Sequence, residues 1–226
     1  MIPADADTPT DSGAKSTAIQ QQITVAVDAL IDSLPNPDRL SAEQRRGIIA
    51  RYTTVLEGNF IYWMTGALLA VQSGEARAIV LENLQDEVRG CHPGMLRRFA
   101  QAARAIPTDG DSLAVSRDLM QVRLFIGRLS AVPIVVTMAF FEGFIQKFMA
   151  YLAELAEAQG SSEREYTDVH GVCDVEHSQE LFRALEAEMA LDPVTFNSEL
   201  FEGVGLLHSL IQCIVHGARS QAEQAA

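Results

Sequence analysis

The stretch AVPIVVTMAFFEGFIQKFMAYL, from Ala131 to Leu152, constrains the fold more than any other part of the chain. It is long and apolar, yet it carries Glu142 and Lys147 near its middle. A membrane-spanning helix needs about 20 mostly apolar residues and tolerates central charge poorly. The same features suit a helix buried in a protein interior. Glu142 has Val135, Met138, Ala139, Ile145, Gln146 and Met149 as helical neighbours, so periodicity predicts a buried carboxylate. Burying an unpaired charge is costly, and Glu142 therefore needs an arginine such as Arg123 or Arg128, a proton, or a metal ion.

The rest of the chain also reads as helical. Ile19, Ile23, Val27, Leu30, Ile31 and Leu34 recur at helical spacing before Pro35-Asn36-Pro37. Ser41-Ala42-Glu43-Gln44 has the form of a capping box and opens a helix running through Tyr52, Phe60 and Trp63 to Gly74. A third helix starts near Glu75 and is interrupted by Gly90 and Pro93. A short helix from Pro93 to Ala105 follows, then one capped by Asp111 or Ser112 that ends before Pro133. After the Glu142 helix, closed by Gly160-Ser161-Ser162, come a helix from Glu163 to Ala190 and a last one from Asn197 to Gly217. No run alternates long enough for a strand, and no fixed-period repeat is present.

The expected fold class is therefore all-α: a single-domain bundle of about seven or eight helices over residues 18–218. Residues 1–17, rich in Asp, Thr, Pro and Ser, read as a disordered tail, and 219–226 as a flexible one. A chain of 226 residues, 48% of them hydrophobic, suits one core.

The net charge of -13, with no basic stripe, argues against nucleic acid and anionic membranes as partners. The start MIPADADTPTDSGAKST has neither the positive nor the apolar region of a secretory signal. Three cysteines, Cys91, Cys173 and Cys213, cannot all pair within one chain, so a reduced, cytoplasmic protein is expected. Cys91 and Cys173 read as ordinary packing residues. No phosphate loop, GxSxG elbow or CxxC pair occurs.

Three segments carry metal chemistry. In YTDVHGVCDVEH, from Tyr166 to His177, His170, Asp174 and His177 sit at i, i+4 and i+7. On a helix they fall within about 60° of one another. The same face continues into Leu181 and Ala184, so it points inward. Two imidazoles and a carboxylate on one face form a partial transition-metal ligand set; a solvated face that merely contains histidines is the alternative. Glu142 is the second segment. The third is NLQDEVRGCHP, from Asn83 to Pro93. Glu87 and His92 are five apart, about 140° on an unbroken helix, so one metal reaches both only if the chain bends after Arg89. A helix end with a histidine near its last carbonyls is the alternative there. Glu57 shares a face with Thr53, Phe60, Ile61 and Met64, which allows it to be buried as a neighbour of the site, as an acceptor for a substrate ammonium, or equally in a structural hydrogen bond. Met138, Phe141, Ile145 and Met149 suggest an aliphatic guest near Glu142. His208 and His216 have no acid at ligand spacing and read as structural.

Taken in order, these segments resemble the heme-oxygenase-like di-iron oxidases. That superfamily shows Asn-x-x-Asp/Glu-Glu leading to His-Pro, then a lone Glu, then His-x3-Asp-x2-His. Here these are Asn83 to Glu87 with His92-Pro93, Glu142, and His170, Asp174 and His177. The resemblance implies a heme-oxygenase-like bundle with two O2-reactive Fe(II) held by Glu87, His92, Glu142, His170, Asp174 and His177. The interval to His92 is about two residues shorter than the family pattern, which leaves Asp86 as the alternative to Glu87. Three carboxylates and two ferrous ions would leave the site at about +1, favouring an anionic guest. The activity implied is O2-dependent desaturation of an aliphatic amino acid, with ring closure as an extension, in specialised-metabolite biosynthesis. An external electron donor is implied, and a homodimer is left open. Fatty-acid decarboxylation and amino-acid cleavage or N-oxygenation are related readings. An interaction protein with a vestigial site is the reading from another class. Haem oxygenase itself would need one proximal histidine and a haem-wide cleft, and would leave the clustered acids unexplained.

Overall fold

The computed structural model describes residues 11–192 and 195–217, the side chains of residues 11, 12 and 172–175 excepted. Eight α-helices follow in order: α1 (Asp11–Asp32), α2 (Ala42–Ala70), α3 (Gly74–Arg89), α4 (His92–Ala102), α5 (Asp109–Ile126), α6 (Ala131–Glu157), α7 (Glu165–Leu191) and α8 (Glu202–His216). Short 3-10 turns occupy Pro37–Arg39 and Ser198–Phe201. Among the described residues there is no strand, and the all-α expectation holds.

The local boundaries follow from capping chemistry. Ser41 and Gln44 close the capping box at the start of α2. That helix ends at Ala70 rather than Gly74, because Ser73 caps α3 by accepting from Ala76 N–H. At α5 the cap is Thr108, not Asp111 or Ser112. Thr108 Oγ1 accepts from Asp111 N–H while the Asp111 carboxylate accepts from Thr108 N–H, so Asp111 is the inner half of the box. Helix α5 ends at Ile126, before Pro133 as expected, and Pro133 lies in the first turn of α6, where its missing N–H would have no intrahelical partner.

The expected tail over residues 1–17 is corrected at its inner end. Helix α1 already spans Asp11–Asp32, and Ser16, 1% exposed, donates to Glu186 Oε1 on α7 at 3.1 Å. A polar first turn is held by an element 170 residues away, which composition does not reveal. Residues 1–10 and the tail 219–226 lie outside the described residues.

Helix α6 runs through the middle of the bundle, packed on α7, α2, α1 and α8. It and the segment Ser198–His216 are long and apolar enough to cross a membrane by length and composition. Eighteen of the 27 residues of α6 are buried against other helices, which accounts for its apolar sequence without lipid. Its aromatic ridge (Phe141, Phe144, Phe148) stacks at centroid distances of 6.4 and 4.9 Å and meets Trp63 and Tyr52 of α2 at 5.2 and 5.5 Å. Where α2 turns into α3, Glu188 of α7 accepts from Gln72 N–H and Ser73 N–H at 2.8 and 2.7 Å. This buried carboxylate ties the N-terminus of α3 to α7, and so sets the helix carrying Glu87 against the helix carrying His170.

Candidate metal centre

Four helices deliver polar side chains to one buried place. Helix α3 ends at Arg89, and Cys91 takes a left-handed conformation (φ 54°, ψ 39°) before α4 opens at His92. This is the bend that the Glu87–His92 spacing required. It brings His92 Nδ1 to 2.8 Å from Glu87 Oε1, with both residues buried. The other edge of the His92 ring rests on Gly90, where a Cβ would stand 2.4 Å from Nε2. Only glycine lets the ring lie there, and Nδ1 is thereby the nitrogen turned to Glu87.

His170 arrives from α7. Its Nδ1 lies 2.8 Å from the carbonyl oxygen of Tyr166, one turn earlier. A carbonyl only accepts, so Nδ1 carries the proton and Nε2 keeps its lone pair, 4.0 Å from Glu87 Oε1. Burial pushes the His170 imidazole down to about 4; Glu87 pulls the other way, and His92 and His177 add to the depression. The ring is neutral at neutral pH, the form that ligates metals. Its centroid is 4.4 Å from that of His92 and 4.2 Å from that of Tyr166. Donor atoms of Glu87, His92 and His170 all lie within 4.8 Å of one another, and all three residues are buried.

A second group adjoins this one. His177, two turns along α7 from His170, places Nδ1 4.0 Å from Glu142 Oε1 and Nε2 3.7 Å from Asp86 Oδ2. Glu142 is 1% exposed, as its position on α6 predicted. The arginines considered as its partners are engaged elsewhere: Arg123 donates to Asn59 Oδ1 at 2.7 Å, and Arg128 pairs with Glu202 at 2.6 Å. Asp86 and Glu87 take separate places, Glu87 with His92 and His170, and the largely exposed Asp86 with His177. The side chain of Asp174 lies outside the described residues, as does that of Cys173.

A narrow cleft opens onto Glu87, His92, Glu142 and His170. Its walls include Leu56, Phe60 and Ile61 of α2, Leu96 of α4, Ile145 of α6 and Tyr166 of α7. Ile145 was expected there. Met138 and Phe141 were also expected, but neither is among the lining residues: Met138 is fully buried, and Phe141 packs on Phe60 and Trp63. Phe141 faces α2, and Met138, on the Glu142 side of α6, is enclosed a turn earlier. Glu57 is not among the lining residues either and takes the structural alternative. It is half-buried and ion-paired with Arg97 of α4, because the inward face of α2 is centred on Leu56 and Phe60. Tyr166 was missed as a site residue, although its place four before His170 was a usable signal. Its hydroxyl meets that of Tyr52 at 2.8 Å inside the core. His208 and His216 are exposed on α8, away from this centre. Cys91 is exposed, and Cys213 donates to Asp118 Oδ2 at 3.1 Å.

The donor set fits iron. Two neutral imidazoles and a carboxylate, buried together with a second carboxylate–imidazole pair beside them, suit a ferrous ion better than a hard cation such as calcium. Burial of neutral His170 has a consequence for the metal-free protein. The imidazole is harder to protonate folded, at about 4, than unfolded, at about 6.5. Its contribution to stability is complete above about pH 6.5 and is lost as pH falls to about 4, a change of roughly 3 kcal/mol. Denaturant titrations of chelator-treated protein from pH 7 to 4 should show that fall, and His170→Ala should flatten it. A wild-type curve level across this window would contradict the assignment.

No curated protein and no solved structure matches the chain. A family described as iron-containing redox enzymes matches residues 50–206, from the middle of α2 to α8, a span that includes Glu87, His92, Glu142, His170 and His177. That span covers more than half of the sequence, and with the helical bundle and the buried Glu87–His92–His170 group it places the chain in the iron-containing redox enzyme family, within the heme-oxygenase-like superfamily.

Proposed function

We propose that this protein is a non-haem di-iron oxidase that uses O2 to desaturate an aliphatic amino acid, with ring closure as an extension of the same chemistry. The observation that carries the reading is the convergence of Glu87, His92 and His170, with Glu142 and His177 beside them, from four helices onto one apolar cleft. Glu87, His92 and His170 would hold one iron. Glu142 and His177 would hold the other, with Asp174 as the sixth ligand that the family resemblance implies. Iron supplies the activation of O2 that no side chain can perform.

The chain does the rest. The Tyr166 carbonyl holds the His170 ring in one tautomer. Leu56, Phe60, Ile61, Leu96 and Ile145 exclude water and present aliphatic surface to the guest. Converting a CH2–CH2 unit to CH=CH with reduction of O2 to two waters consumes two protons and two further electrons, so an external electron donor in the cytoplasm completes the balance.

The test is anaerobic loading with Fe(II), followed by O2 uptake and product mass in the presence of single aliphatic amino acids. The expected result is substrate-dependent O2 consumption and a product two mass units lighter. Iron uptake with no response to any aliphatic amino acid would remove the substrate class. A response to fatty acids alone would transfer the activity to the decarboxylase type. Failure to bind iron at all would support an interaction protein with a vestigial site.

A further inference from the structure

Asn83 of α3 is 1% exposed, and neither its Oδ1 nor its Nδ2 has a hydrogen-bond partner among the described residues. Buried amides are rarely left so, because desolvating one without replacing its hydrogen bonds is costly. The same bundle shows what a structural asparagine looks like. Asn59 of α2, also buried, donates through Nδ2 to Val55 O at 2.8 Å and accepts from Arg123 Nε through Oδ1 at 2.7 Å. Asn83 does no such work for the fold.

Its position relative to the metal centre is set by helix geometry. At about 100° per residue, Asp86 lies about 60° to one side of Asn83 and Glu87 about 40° to the other. Asn83 thus sits on the line between the two acids, one turn before them. Helical side chains lean towards the N-terminus, so both carboxylates lean back over the turn that carries Asn83. Glu87 serves the His92 and His170 group, and Asp86 approaches His177 beside Glu142. We propose that Asn83 is a positioning residue of the metal centre, its buried amide orienting the Glu87 carboxylate that would hold iron. The inference rests on the iron-centre reading above. The hydrogen bonds that the amide lacks within the fold are those that a loaded centre supplies.

The discriminating variants are Asn83→Leu, nearly isosteric and without polar atoms, and Asn83→Ala as a second in case Leu packs poorly. Each is compared with the wild type by circular dichroism, by thermal melting of the chelator-treated protein, and by anaerobic Fe(II) titration. The expected result is a metal-free variant that melts no lower than the wild type, together with a loss of about 10- to 100-fold in affinity for at least one iron equivalent, the usual effect of removing a group that orients metal ligands. Both variants binding iron within about twofold of the wild type would overturn the inference, whether or not their melting temperatures fall. If the wild type itself takes up no iron, the failure belongs to the iron-centre reading. That outcome is separate from a wild type that loads and variants that load equally.

Discussion

In His170→Ala, iron content and O2-dependent turnover are both expected to collapse while the helical content stays that of the wild type. His170 is held in place by its own helix, through the Nδ1–H bond to Tyr166 O, and its Nε2 faces Glu87 across 4.0 Å. Removing it leaves Glu87 and His92 hydrogen-bonded to each other at 2.8 Å, a pair that is self-satisfied and has little reason to open for a cation. Groups that merely orient ligands are worth about 10- to 100-fold in metal affinity, so loss of a direct ligand should exceed about 100-fold. Iron analysis after desalting, with Fe(II) titration, checks it. A variant that retains the wild-type iron content would show that this group is not the metal site.

Glu142→Gln is expected to separate the two halves of the centre. The substitution keeps shape and burial and removes only the charge. Glu142 is 1% exposed, lines the cleft, and lies 4.0 Å from His177, while Glu87, His92 and His170 form their own group. One iron equivalent should therefore be lost and the other kept. Under the proposed di-iron reading, turnover should fall at least about 100-fold, since that reading shares the O2 chemistry between two metals. An amide is cheaper to bury than a carboxylate, so the metal-free variant should melt no lower than the wild type. Loss of both equivalents, or of neither, in a folded Glu142→Gln protein would refute the two-part arrangement.

Much of this was legible in the sequence because it depends on local periodicity. The 3.6-residue repeat of apolar positions gave the helices, and the Ser41–Gln44 box gave the start of α2. The apolar surroundings of Glu142 foretold a buried carboxylate, and the i, i+7 spacing put His170 and His177 on one inward face. Features decided by contact between distant segments were not legible. The first turns of α1 rest on α7 through Ser16, so polar composition alone suggested a tail. Glu57 was drawn out to Arg97 of α4, and Met138 and Phe141 were enclosed by the packing of the core.

The sequence by itself determined an all-helical fold with Glu142, His170 and His177 on inward faces, because residue spacing fixes which side chains share a face. Tertiary structure alone decided that Glu87 and not Asp86 joins His92 and His170. That choice depends on the left-handed turn at Cys91, on the room left by Gly90, and on Glu188 anchoring α3 against α7. A helix face is a direction, and a metal site is a meeting point; only packing converts one into the other.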